Sequence, residues 1–176
     1  MSGFLGEIVC KVDSKGRLAI PSTFMKQMPT ANVDRLVINR GWDQCLSVFT
    51  ESEWNKETAK FTHLNTFEKK KRRFLRQYFR GANYVPLDAS GRILISKTLL
   101  GYADIKKEVV VIGMPNCLEI WAKNIYDTEM EMDVEEFSNL AEEVMGDLEV
   151  IAAVAATIEN VSPVVVTETK KSIEES

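Results

Sequence analysis

The sequence predicts a mainly β fold with flanking helices, assembled from two pseudo-symmetric repeats in one chain. Three observations predict it. The chain resembles itself at an offset of 75 residues: Phe4-Leu-Gly6 returns as Phe79-Arg-Gly81, and Asp13-Ser-Lys-Gly-Arg-Leu-Ala-Ile20 returns as Asp88-Ala-Ser-Gly-Arg-Ile-Leu-Ile95. After a net three-residue gap Cys45-Leu46 returns as Cys117-Leu118, with Phe49 matched by Trp121 and Trp54 by Tyr126. Within each copy, short apolar runs alternate with Gly-containing or polar turns, the pattern of half-buried strands. Finally, 176 residues that are 45% hydrophobic and 27% charged suffice for a real core and exclude a wholly disordered chain. Two copies are too few for a solenoid, which needs about three or more.

Each copy has the same plan. A strand (Ile8 to Val12; Tyr84 to Leu87) enters a turn holding Gly16 or Gly91, and a second strand leaves it (Arg17 to Ile20; Arg92 to Ile95), so each turn is expected to close a hairpin. A helical turn follows, opened by Pro21 or Ser96. Two more strands complete the copy (Leu36 to Asn39 and Cys45 to Phe49; Val109 to Ile112 and Cys117 to Trp121). In the first copy Thr50-Glu-Ser-Glu53 has the spacing of a capping box for a helix carrying Trp54. The predicted organisation is a first repeat over residues 4–54, a linker helix region over 55–78, a second repeat over 79–126, and an acidic helix and tail over 127–176.

The linker region holds Phe67, Phe74, Leu75, Tyr78 and Phe79 at helical spacing, with Lys69, Lys70, Lys71, Arg72, Arg73, Arg76 and Arg80 around the rest. Two readings are open: a phosphate-contacting helix, or a linker that packs one face and solvates the other. Further on, Asp133-Val-Glu-Glu136 reads as a helix start, with Val134, Phe137, Ala141, Val144 and Leu148 as an apolar stripe. The span 126–148 is therefore predicted to be one docked acidic helix, with mobile chain beyond about residue 160.

The net charge of −4 conceals a division. Residues 1–125 carry 20 Lys+Arg against 12 Asp+Glu, a net +8, whereas residues 126–176 carry 2 against 14, a net −12. A basic body with an acidic tail suits a polyanion-binding protein with an appended modulator. A single histidine, three scattered cysteines with no C-x-x-C, and no G-x-S-x-G, P-loop or G-x-G-x-x-G argue against an enzyme, a metal site and a cofactor. The scattered thiols suit a reducing cytoplasm. No signal peptide is visible, and the longest apolar stretch, Val150 to Ile158, is far short of the roughly 20 residues that span a bilayer.

The two Asp-x-x-Gly-Arg segments are the sharpest chemical feature. Asp13 and Asp88 can accept hydrogen bonds from amides of their own turns, and Gly16 and Gly91 permit a tight reversal. Arg17 and Arg92 then project from a pre-organised base, and arginine suits bidentate contact with guanine or phosphate. Lys11 and Lys15 add cationic reach in the first copy, where the second has Pro86 and Ser90. Equally, Asp13–Arg17 and Asp88–Arg92 could be ion pairs that only brace the turns.

Val12 to Pro21 and Leu87 to Ile95 resemble the paired signatures of the MraZ family, bacterial transcription regulators related to the AbrB and SpoVT DNA-binding domains. The resemblance extends through Phe4-Leu-Gly6, Cys45-Leu46 before Glu53-Trp54, Arg72-Arg73, Lys107 to Gly113 and Leu118-Glu-Ile-Trp121. It implies a double-split β-barrel formed by two AbrB-like repeats, a ring-shaped homo-oligomer, and a cytoplasmic, nucleoid-associated regulator. That regulator would bind double-stranded DNA at short direct repeats upstream of its own operon, in the division and cell-wall gene cluster. DNA contact carries over to Lys15 and Arg17, with Arg92 as the matching residue. Pro21 of the first signature is Ser96 in the second, so the two loops need not be equivalent. An AbrB-like antitoxin is the alternative, although such antitoxins usually carry one copy of the module.

Overall fold

Alternation of apolar side chains along the strands decides how the layers stack. The computed structural model describes residues 3–29 and 33–159, those after 146 as backbone only. The first repeat runs β1 (Glu7–Lys11), β2 (Arg17–Ala19), α1 (Ser22–Gln27), β3 (Arg35–Arg40), β4 (Leu46–Phe49) and α2 (Glu51–Ala59). After α3 (Lys69–Tyr78) the same order returns as β5 (Asn83–Pro86), β6 (Arg92–Leu94), α4 (Lys97–Tyr102), β7 (Glu108–Gly113), β8 (Leu118–Ala122) and α5 (Lys123–Glu129). The last helix, α6 (Val134–Glu159), lies in a second unit, Glu131–Ser176, separate from Met1–Met130.

Six strands form one antiparallel sheet in the order β1-β7-β8-β4-β3-β5, and β2 with β6 forms a two-stranded ribbon. The fold is thus mainly β with flanking helices. The sheet is open, with β1 and β5 at its edges, so its hydrogen-bonded strands do not close the barrel that the resemblance implies. One face of the sheet buries Leu36, Ile38, Val109 and Ile120 against Leu18, Ile20, Ile93 and Ile95 of the ribbon and against Phe24 and Leu99 of the short helices. Fully burying a Leu or Ile side chain contributes about 1.5–3 kcal/mol, so the ribbon is held chiefly by its inward row. On the other face Val37 and Phe49 pack with Trp54 of α2 and Tyr78 of α3, while Val110 and Trp121 pack with Tyr126 of α5.

The hairpin expectation is corrected by the strand pairing. β1 pairs with β7 and β5 with β3, whereas β2 pairs with β6; across the first loop only the single bridge Val12↔Leu18 remains. The physical reason lies in the inward rows. Leu18 and Ile20, like Ile93 and Ile95, bury against the face of the sheet, which requires β2 and β6 to lie over it as a second layer.

Local signals at helix starts hold. The Thr50 hydroxyl accepts from the Glu53 amide (3.3 Å), and Ser96 does the same for Leu99 (3.3 Å), whereas Pro21 opens α1 without a side-chain cap. The expected single helix over 126–148 is instead two helices. Asp133 and Glu136 close a reciprocal cap, with the Glu136 amide donating to Asp133 (2.8 Å) and the Asp133 amide to Glu136 (3.2 Å). This cap starts α6 afresh and separates it from α5, and α6 continues past Gly146 to Glu159. The segment beyond residue 160, expected to be mobile, lies outside the described residues.

Gly16 and Gly91 both have positive φ (+82° and +68°), but their surroundings differ. A Cβ at Gly16 would meet the Ile95 carbonyl oxygen at 2.9 Å, whereas one at Gly91 would meet nothing within 4 Å. Gly91→Ala should therefore cost only the left-handed backbone penalty, about 1–2 kcal/mol, and Gly16→Ala more. Urea denaturation of the two variants checks this ordering, and equal losses would contradict the cross-repeat contact at Gly16.

Candidate nucleic-acid interface

Each Asp-x-x-Gly-Arg loop is a closed network around its carboxylate. Asp13 Oδ1 accepts from the amides of Lys15 and Arg17 (2.9 Å each), and Oδ2 accepts from Arg17 Nε (2.7 Å). The Gly16 amide donates to the Asp13 carbonyl and the Asp13 amide to the Arg17 carbonyl, both at 2.9 Å. The second loop repeats every bond: Asp88 Oδ1 accepts from Ser90 and Arg92 amides (2.8 and 3.0 Å), and Oδ2 from Arg92 Nε (2.7 Å). The Arg17 amide, followed by its guanidinium, holds the Asp13 carboxyl below the usual carboxylate range, and the Arg92 groups do the same for Asp88.

The ion pairs do brace the loops, as one sequence reading allowed, but bracing occupies only Nε. Among the described residues the terminal guanidinium nitrogens of Arg17 and Arg92 have no hydrogen-bond partner, and both side chains are about one-third exposed (34% and 35%). The carboxylate therefore orients a planar fork whose outer donors stay available for a bidentate acceptor.

The ribbon sets these two forks side by side. Its register pairs Arg17 with Leu94, Leu18 with Ile93 and Ala19 with Arg92. It is extended at both ends by reciprocal bonds, from the Ile95 amide to the Gly16 carbonyl (2.9 Å) and from the Ile20 amide to the Gly91 carbonyl (3.0 Å). Strand alternation turns Leu18 and Ile93 inward, so Arg17, Ala19, Arg92 and Leu94 share the outward face. Arg17 and Arg92 are diagonal neighbours on this face, about 7–8 Å apart by strand geometry. Leu94, 56% exposed, and Ala19 occupy the other diagonal of the same face. Sequence reasoning missed both residues. Ile93-Leu-Ile95 reads as an unbroken apolar run, and only period-two alternation fixed on a buried Ile93 would have turned Leu94 outward.

The remaining candidate residues are placed unequally. Lys15 is exposed at the first loop, where Ser90 stands in the second. Lys11 is at the end of β1, paired with Glu108 at 3.5 Å. The helix α3 lies over the opposite face of the sheet from the ribbon, with its Tyr78 carbonyl accepting from Asn39 (2.8 Å). Among the described residues no group of His, Cys, Asp and Glu could hold a metal ion. Burial pushes the Cys117 thiol up to about 12 and raises Cys45 likewise, which leaves neither a ready nucleophile. No helix among the described residues is long and apolar enough to cross a membrane.

An outward ribbon on a mainly β core thus carries two braced arginines whose outer donors face away from the core. The chain belongs to the MraZ family: the model described as "MraZ protein, putative antitoxin-like" matches it twice, over residues 4–77 and 78–148. Proteins named transcriptional regulator MraZ are similar along most of its length. The one from Christiangramia forsetii is 40% identical over 148 residues, covering 84% of this chain and 96% of its own. Those from Flavobacterium psychrophilum and Cytophaga hutchinsonii are 38% and 37% identical, over 84% and 82% of this chain and 95% and 96% of their own. Transcriptional regulators are not enzymes, and neither is this chain.

Because both loop carboxyls are held low, the sign of their pH dependence follows. The bracing is fully present above the ordinary carboxylate pKa of about 3.9 and is lost only as pH falls through the lower folded value. Carbon-detected NMR titration should give Asp13 and Asp88 midpoints below the ordinary carboxylate range, and Asp13→Asn should release Arg17 while its amide oxygen keeps the turn. Ordinary midpoints would contradict the network.

Proposed function

We propose that this protein is a transcriptional regulator that binds double-stranded DNA through the outward face of the β2–β6 ribbon. Arg17 and Arg92 act as the paired readers, Lys15 adds phosphate contact at the first loop, and Lys11 is an outlying cation. Asp13, Gly16, Asp88 and Gly91 hold the loops in shape. The observation that carries this reading is the pair of Asp-braced arginines on one face of a two-stranded ribbon. The major groove admits such a ribbon, and bidentate arginine contact with guanine O6 and N7 is the commonest specific contact there. The names of the relatives support the same conclusion.

The finer features implied by the family extend the proposal. The two repeats are read as halves of a split barrel, with the ribbon bridging them. The protein is a ring-shaped homo-oligomer, cytoplasmic and nucleoid-associated, bound to short direct repeats upstream of its own operon in the division and cell-wall cluster. One ribbon offers few cations, but a ring sets several on one rim. Linked weak contacts then gain by effective concentration wherever repeat spacing matches protomer spacing.

Mobility shift on the DNA upstream of the gene tests the reading. Wild type should bind with an affinity that falls steeply with salt, and Arg17→Ala should abolish specific retention while light scattering shows an unchanged assembly. Unchanged operator affinity would refute the site, and loss of assembly would return Arg17 to a purely bracing role.

A further inference from the structure

The ribbon repeats about a pseudo-two-fold that pairs Leu18 with its own counterpart, Ile93. In backbone plan the two ends of its outward face are equivalent, but in charge they are not. Lys15 of the first loop matches Ser90 of the second, and Lys97, which opens α4, matches Ser22, which opens α1. Because the Ile95 amide bonds the Gly16 carbonyl and the Ile20 amide bonds the Gly91 carbonyl, α4 flanks the first loop and α1 the second. The third difference comes from the sheet. The Val12 amide donates to the Lys107 carbonyl (2.8 Å) and the Leu87 amide to the Asp34 carbonyl (3.1 Å), so Lys107 stands beside the first loop where Asp34 stands beside the second. Alternation from the buried Val109 and Val111 carries Lys107 to the ribbon's side of the sheet, and alternation from Leu36 and Ile38 does the same for Asp34.

The three positions sum to +3 at the first loop and −1 at the second. Lys15, Lys97 and Lys107 are exposed, and none has an ion-pair partner among the described residues. Neighbouring cations are engaged instead. Lys11 pairs with Glu108 and Lys106 with Asp104, each at 3.5 Å. At the second end Arg35 is held by Glu51 (2.8 Å) and lies over the Tyr84 ring.

We propose that Lys15, Lys97 and Lys107 form a one-sided shelf that holds the phosphate backbone of duplex DNA at the first-loop end of the ribbon. The inference rests on the DNA reading above and deepens it, adding Lys97 and Lys107 as positioning residues. Phosphate contacts fix register and orientation without reporting bases, which leaves base reading to Arg17 and Arg92. Asp34 repels phosphate at the other end, so the duplex is anchored from one end of a face whose backbone treats both ends alike.

Salt dependence separates these roles. Fluorescence anisotropy is measured over a salt series on the duplex upstream of the gene and on an unrelated duplex, with fold and assembly checked by circular dichroism and light scattering. Lys97→Ala with Lys107→Ala should lower the slope of log K against log salt by about 1.8 per bound protomer, since each phosphate contact contributes about 0.9. Affinity for both duplexes should fall by the same factor, whereas Arg17→Ala should remove the preference between them. Lys26→Ala, at the exposed cation on α1, should leave the slope unchanged. The charge-keeping pair Lys97→Arg and Lys107→Arg should retain the wild-type slope. Salt-dependent wild-type binding with an unchanged slope in the alanine pair overturns the shelf and leaves the ribbon reading standing. An equal loss at Lys26 overturns its one-sidedness, and a loss in the arginine pair shows that the lysines act through the fold and overturns it too. Wild type that binds neither duplex refutes the DNA reading itself, and the shelf with it.

Discussion

The pairing of β2 with β6 is the constraint on which the other features depend. Three register pairs form the ladder, and two reciprocal bonds extend it, with each loop glycine accepting from an isoleucine of the other repeat. Neither loop is therefore finished by its own repeat. The inward row of this ribbon fills one side of the main core, and its outward row carries Arg17 and Arg92. Core and proposed contact face are the two sides of one short element, so a change that loosens the packing also misaligns the arginines.

The carboxylates convert that alignment into usable chemistry. A free arginine side chain has many rotamers, and ordering it on binding is costly. Here Asp13 and Asp88 hold the Nε end with a charge-assisted bond and leave the outer nitrogens free, which lowers the cost before any ligand arrives. Bracing and the proposed recognition, which compete as explanations at the level of sequence, call on different atoms of the same group and so are compatible.

What could be read from the sequence was local. The duplicated Asp-x-x-Gly-Arg loops, the positive-φ glycines, the Thr50 cap and the Asp133 helix start each depend on residues within a few positions of one another, and each is present. Partner choice was not local. A strand as short as Arg17–Ala19 carries no mark of which extended segment it will join, so a hairpin is the natural expectation, and only the burial of Leu18 and Ile93 decides otherwise. Leu94 was invisible within an apolar run for the same reason. Helix α5 was merged with α6 because the acidic composition runs on across residues 130–133, where the cap at Asp133 interrupts the backbone.

The central claim is that loops from two repeats form a single contact face. A double-mutant cycle of Arg17→Ala and Arg92→Ala on operator affinity, at one fixed salt concentration, tests it most directly. Each substitution should weaken binding, and their effects should be coupled by more than about 0.5 kcal/mol, as expected of neighbours that meet one ligand. Wild-type affinity for Arg92→Ala, or strictly additive losses, would contradict a shared face.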